Sequence, residues 1–271
     1  MAAVEERQVE VAGTTILVRE AASQTPAPVL YLHGVPTDGR DWLPFLERTG
    51  GIAPDLPGFG RSDKSAAFDY SIDGYTAFLT ALVDELGLTK LSLLVHDWGS
   101  VGLMLAQARP ELIHRLVIVD AVPFTAGYRW HRVARIWRTP VLGELFMGAT
   151  TRTALSWTMR TSGGLPADLT KDWAKSVMEH FDHGTQRAIL QLYRSAPPPL
   201  LERAGDRLDQ IRAPALVVWG DRDPFLPTKF AHAYGDALGG ETTVRVADGA
   251  GHWPWLDEPQ LIDEIAAFLA R

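Results

Sequence analysis

The chain has 271 residues, 46% of them apolar and 22% charged, with a formal net charge of −7 and no cysteine. This length and ordinary globular composition imply about two folding units, or one large α/β domain with an insertion. The missing thiols exclude a disulfide framework, a thiolate nucleophile and any Cys-based zinc or iron–sulfur site, and the absence of a cationic run argues against a nucleic-acid or anionic-membrane partner.

Residues 1–28 hold no continuous apolar stretch of the kind a secretory leader needs. Nowhere do the roughly 20 apolar residues of a membrane span run together. A soluble, cytoplasmic protein is the expectation. Short apolar runs alternating with helical patterns predict an α/β protein with a parallel sheet wrapped by helices. Strands are expected at Val9–Val11, Thr15–Arg19, Val29–His33, Gly51–Ala53, Leu91–His96 and Leu116–Asp120. The last two are apolar on both faces, as strands covered on both sides should be. Asp73 is placed to cap a helix whose Tyr75, Phe78, Leu79, Leu82 and Leu86 share one face, with Gly87 as its stop. A further helix should run from about Gly99 to Arg109, where Pro110 ends it.

From Pro123 to about Arg207 no buried strand is expected. Helical stretches rich in Trp, Arg and Tyr are broken there by Gly163-Gly164, Gly184 and Pro197-Pro198-Pro199. The strand pattern resumes at Ala215–Trp219 and near Thr243–Val246. A closing helix takes Asp257 as cap, Pro259 in its first turn, and Leu261, Ile262, Ile265 and Leu269 on its inner face. The expected organisation is a sheet domain of residues 1–122 and 208–271, interrupted after its sixth strand by a helical cap of residues 123–207.

The most informative segment is Val95-His96-Asp97-Trp98-Gly99-Ser100. A buried strand turning abruptly into a helix pushes the residue at the turn outward on a strained backbone, and it aims the free N–H groups of the new helix at that residue. Serine is the usual occupant. Asp97 in its place points to carboxylate attack on a saturated carbon, giving an alkyl–enzyme ester; the plainer alternative is that Asp97 only caps the helix. Ser100 lies inside the helix. Trp219-Gly220-Asp221-Arg222-Asp223-Pro224 supplies an acid after a later strand, and Gly249-Ala250-Gly251-His252-Trp253 supplies a histidine after the last one. Nucleophile, acid and histidine thus follow in hydrolase order, 126 and then 29 residues apart.

Leu32-His33-Gly34-Val35-Pro36 places the Val35 N–H alongside that of Trp98, where the two can hold an oxyanion while water attacks the ester. The same donors are expected to keep the Asp97 pKa low despite burial. His252 is the candidate base, its unperturbed pKa near ~6.5 suiting neutral pH. Asp223 is the candidate orienting acid, with Asp221 and Asp120 as competitors. His33 and His96 read as structural.

At these residues the sequence resembles the α/β-hydrolase fold superfamily, specifically its Asp-nucleophile branch of epoxide hydrolases and haloalkane dehalogenases. The likeness covers roughly 8–122 and 208–271, including Asp55-Leu56-Pro57-Gly58-Phe59-Gly60-Arg61-Ser62, typical of the family's loop after the fourth strand and read as structural. It implies a mostly parallel eight-stranded sheet flanked by helices, with a helical lid after strand 6. The family's Gly-x-x-Asp pattern matches Asp223; some haloalkane dehalogenases place the acid after the sixth strand, which keeps Asp120 in contention.

The resemblance also frames the leaving group. Epoxide hydrolases protonate the departing oxygen with lid tyrosines, and Leu192-Tyr193-Arg194 resembles their segment, with Tyr128 as a candidate second donor. Haloalkane dehalogenases hold halide with the Trp after the nucleophile and an Asn or second Trp. Trp98 fits both groups, but Val35 stands where many of the latter have Asn. Trp130, Trp137, Trp157, Trp173, Phe146 and Phe181 could line an apolar pocket, and Trp137 or Trp173 could donate to a halide. The expectation is hydrolysis of an apolar epoxide, with haloalkane dehalogenation as the alternative and a ligand receptor without turnover as the alternative of another class. No metal or organic cofactor is needed. The expected partners are a small apolar organic substrate and water, with a homodimer left open.

Overall fold

The computed structural model describes residues 3–162 and 164–271; Gly163, half of one expected break, lies outside them. Eight strands, β1 (Glu5–Val11), β2 (Thr14–Ala21), β3 (Val29–Leu32), β4 (Gly51–Pro54), β5 (Leu91–Asp97), β6 (Ile113–Ala121), β7 (Ala215–Gly220) and β8 (Thr242–Ala247), form one sheet in the order β1-β2-β4-β3-β5-β6-β7-β8. Only β2 runs against its neighbours; from β4 through β8 every pairing is parallel. All expected strands are present, with ends moved by a few residues.

Helices α1 (Leu43–Thr49), α2 (Ile72–Glu85) and α3 (Gly102–Ala108) follow β3, β4 and β5. Between β6 and β7 lie α4 (Arg132–Arg138), α5 (Leu142–Gly148), α6 (Arg152–Ser162), α7 (Thr170–Met178), α8 (His183–Ser195) and α9 (Pro198–Ala204). The chain closes with α10 (Lys229–Ala237), α11 (Pro254–Asp257) and α12 (Gln260–Leu269).

The strands are buried on both faces, and their period of two divides the core. Leu30, Leu32, Leu93 and Val95 join α2 and α3 on one side. Val29, Tyr31, Leu94 and Val117 join Phe45 of α1 and the Leu261, Ile262, Ile265, Leu269 face of α12 on the other.

Three helix starts differ from expectation. Ser71, not Asp73, caps α2, its hydroxyl accepting from the Gly74 N–H at 3.1 Å, while Asp73 sits in the first turn, where the helix dipole favours an acid. The chain after Asp97 begins as a 3₁₀ turn, Trp98–Val101, before α3. Asp257 ends α11 and accepts from the Gly251 N–H at 2.9 Å, leaving Pro259 at the head of α12. Because the strands from β3 to β8 are parallel, the strand ends carrying Asp97 and Asp120 and the loops carrying Val35, Asp223 and His252 all lie at one edge of the sheet, where open α/β sheets bind ligands.

Candidate active site

Asp97 ends β5 with φ +47° and ψ −118°, an unfavourable conformation for a non-glycine residue. The β5–β6 register shifts at this point, so that His96 pairs with Val119 but Asp97 with Ala121, and the skipped Asp120 also has a positive φ, +35°. A bulge of this kind re-aims side chains at a strand end. Two glycines make room for the turn. A Cβ on Gly34 would meet the Asp97 Cβ at 2.5 Å, and one on Gly99 would meet the Leu32 carbonyl oxygen at 2.1 Å. The turn at Asp97 thus depends on glycine on both sides.

Asp97 is buried, and its Oδ2 accepts from the Val35 N–H at 2.9 Å. Burial pushes its carboxyl up to about 6, against the opposing pull of His252 and of the Val35 and Trp98 N–H groups. The low pKa expected from the two donors is therefore not what the site provides: desolvation outweighs them. His252 is equally buried, and its Nδ1–H donates to Asp223 Oδ2 at 2.7 Å. Burial disfavours the imidazolium, yet the charge and hydrogen bond of Asp223, then Asp97 and Asp41, carry the net pKa upward. The other oxygen of Asp223 accepts from the N–H groups of Phe225 and Leu226, at 2.7 and 3.0 Å, which fixes the carboxylate.

Of the three acids left open by the sequence, Asp223 is the one that meets the histidine. Asp221 turns away and accepts from the Gly249 N–H at 2.7 Å. Asp120 is fully buried beside Asp223, accepting from the Gly220 N–H at 3.1 Å. Burial, then the Asp223 charge, raise its pKa well above the ordinary carboxylate value, which favours the neutral form of Asp120 beside Asp223. Ligand-type atoms of Asp120, Asp223 and His252 lie within 4.8 Å of one another, a spacing that could hold a cation, though Asp223 is already engaged by the His252 ring and by two backbone N–H groups.

The two other histidines serve the frame. His33 Nε2 accepts from the Leu56 N–H at 2.9 Å and its Nδ1–H donates to the Gly34 carbonyl at 2.8 Å, tying the Gly34–Val35 turn to the loop after β4. In that loop Asp55 accepts from the N–H groups of Gly39 and Arg61, both at 2.9 Å. His96 Nε2–H donates to the His252 carbonyl at 2.8 Å, and the two rings lie 4.7 Å apart. The His252 N–H in turn donates to the Gly164 carbonyl at 3.2 Å, in the segment between α6 and α7.

A cavity of about 300 Å³ opens over Asp97 and His252. Its wall is nearly all apolar, with Tyr128, Trp137, Trp173 and Tyr193 among its lining side chains. Tyr128 and Tyr193 both feel the Asp97 charge, which adds to burial in raising their pKa values. The Tyr128 hydroxyl is buried without a partner, as are the indole N–H groups of Trp137 and Trp173. Trp98 is not part of this wall; its ring lies 5.5 Å from that of Trp130 and 5.2 Å from that of Tyr193, and its N–H approaches the Tyr193 hydroxyl without completing a hydrogen bond.

Two residues here escaped sequence reasoning. His131 lines the cavity while its Nδ1 accepts from the Ala134 N–H at 3.3 Å as the cap of α4, and burial holds its pKa down to about 4. A histidine ahead of a helical run was the available signal. Asp41 is half-buried, with a pKa pushed up by desolvation to about 7, and it accepts from the Trp253 indole at 3.3 Å.

Residues 27–259 match the alpha/beta hydrolase fold family. The chain is 31% identical over 219 residues to a haloalkane dehalogenase of Mycolicibacterium paratuberculosis, covering 73% of this chain and 68% of that one. Among solved structures it is similar to haloalkane dehalogenase DbeA from Bradyrhizobium elkani, with a TM-score of 0.82 at 26% identity over 99% of this chain and 98% of that one. A variant epoxide hydrolase of Vigna radiata, at 19% identity and TM-score 0.81 over 98% of both chains, shares the fold.

Proposed function

The chain belongs to the α/β-hydrolase fold family, on its dehalogenase and epoxide hydrolase branch, and from that premise we propose that it hydrolyses a bond between a saturated carbon and a leaving atom through an ester on Asp97. Asp97 Oδ2 is held by the Val35 N–H, so Oδ1 is the oxygen that attacks. It displaces the leaving group and becomes the bridging oxygen of the ester. His252, oriented by Asp223, takes a proton from water, and the resulting hydroxide attacks the ester carbon. The tetrahedral oxyanion forms on Oδ2, already held by the Val35 N–H, with the Trp98 N–H assigned as the second donor. Collapse releases the alcohol and restores the carboxylate.

Esterification also helps the base. The Asp97 charge is one of the groups raising the His252 pKa. Once that charge is neutralised, the His252 pKa falls and more of the imidazole is in the neutral form that can accept a proton, at some loss of basicity.

For the leaving group, we assign an apolar epoxide as the substrate class. The observation that carries this is the Tyr128 hydroxyl, buried, unpartnered and within the field of Asp97, with Tyr193 on the same cavity wall. A departing alkoxide needs such O–H donors, and Val35 offers no side-chain donor for a halide. Haloalkane dehalogenation is the second reading. Haloalkane dehalogenases at 31% and 26% identity are among the similar proteins, so likeness favours it, and the unpartnered indoles of Trp137 and Trp173 could serve a halide. Replacing Tyr193 or Tyr128 with Phe should slow the alkylation burst with epoxides by a factor on the order of 10 to 10³ and leave haloalkane alkylation nearly unchanged. A slowed haloalkane burst with unchanged epoxide opening reverses the assignment.

The pH dependence follows from the same groups. Asp97 attacks only when ionised, and its carboxyl titrates at about 6. The burst rate should therefore hold above that pH and fall about tenfold per unit below it. A burst that stays flat well into the acid range places the nucleophile elsewhere.

A further inference from the structure

The cavity reaches the surface between α5 and α6. Phe146 and Trp157 line it while being 37% and 66% exposed, so each ring spans the wall from inside to solvent. Val141, Leu142 and Leu145 stand beside this mouth at 49% exposure or more. These five are the large exposed apolar side chains among the described residues, and all fall within residues 141–157. Val141 holds φ +68° although it is β-branched, so a strained backbone presents an apolar side chain to solvent. The Val141 carbonyl accepts from the Leu145 N–H at 3.0 Å at the start of α5, which accounts for the turn but not for the exposed side chains; a cluster of exposed apolar side chains is the usual mark of a surface that meets something else.

The chemistry of what it meets is set by charge. On the α6–α7 side a groove of about 460 Å³ shares Trp157 with the mouth and is lined by Arg152, Arg160, Lys171 and Lys175, with Asp172 as its one acid. No ion pair among the described residues involves any of the four cations. Residues 122–214 carry 13 Lys and Arg against 8 Asp and Glu, a net of +5, whereas the rest of the chain carries −12. A second copy seated on this face would bring like charges together. An anionic lipid surface satisfies both halves: apolar side chains enter the headgroup boundary and the flanking cations meet phosphates.

We propose that the α5–α6 face docks peripherally on anionic bilayers and admits apolar substrate from the lipid directly into the cavity over Asp97. No helix among the described residues is long and apolar enough to cross a membrane, so the contact is superficial. The expectation against an anionic membrane rested on the absence of a cationic run; the four cations are dispersed along the sequence and gathered by the packing of α6 on α7. Delivery of substrate rests on the reaction assigned above, but docking is measured without turnover and stands apart from it.

The test is flotation of the purified full chain with vesicles of phosphatidylcholine, with and without phosphatidylglycerol, at low and high salt. Binding should require phosphatidylglycerol and disappear at high salt. Arg160→Glu with Lys171→Glu, and separately Leu145→Ser, should each lower it about tenfold or more. None of these residues lines the cavity, so turnover of a dissolved substrate should be unchanged and serves as the check on folding. Failure to float with either lipid, equal binding to both, binding indifferent to these substitutions, or a dimer that the same substitutions dissolve would each overturn the proposal.

Discussion

Replacing His252 with Phe is expected to give a protein that alkylates itself once and stops. Attack by Asp97 needs no base, whereas hydrolysis of the ester does, and His252 is the imidazole fixed against Asp223 at the cavity floor. Steady-state turnover should fall by at least about 10³-fold, while intact-mass measurement should show one substrate equivalent per chain. The mass also reads the chemistry. An adduct that keeps the whole epoxide identifies ring opening; an adduct that has lost halogen identifies dehalogenation. A receptor without turnover would give no adduct with either, and would give none with the unsubstituted protein.

Asp97→Ala is expected to abolish both phases, lowering turnover by about 10⁴-fold or more because no other side chain at the turn can form the ester. The fold should survive. A carboxyl raised from 3.8 to about 6 on folding destabilises the folded state by about 3 kcal/mol at neutral pH, and removing it relieves that. The relief is offset by the Val35 N–H, left without its acceptor at a cost of about 1–3 kcal/mol. Thermal unfolding should therefore show a Tm within a few degrees of the parent. Turnover above a few per cent, with mass still added by substrate, would move the nucleophile to another residue.

What was legible in the sequence follows the strength of the local signal. Strands apolar on both faces, such as Leu91–Val95, announce a covered parallel sheet, and the sharp strand-to-helix turn at Asp97 could be read because Gly99 stands two residues on, directly after such a strand. Helices as short as α1, at seven residues, give too little periodicity to register, and α10, interrupted by Gly235, gives a weak one. The start of α2 was misplaced because Ser71 and Asp73 both suit a cap, and only the side-chain bond to Gly74 decides between them. The choice among Asp120, Asp221 and Asp223 was likewise a matter of three dimensions. All three follow strands at the same sheet edge, and their roles separate only through what each carboxyl meets. Asp97's raised pKa was misjudged for a similar reason: two donors are visible as sequence positions, but the depth of burial that overrides them is not.

The link from the His252 N–H to the Gly164 carbonyl carries a consequence for how this scaffold can be rebuilt. The His252 backbone is tethered through its carbonyl to His96 and through its N–H to the inserted segment, so a chimera bearing a foreign insertion inherits Asp97 and Asp223 from the core but not the upper tether. Exchange of the segment between β6 and β7 should therefore begin with a donor that offers a backbone oxygen at the same height, and only then be selected for the shape of its chamber.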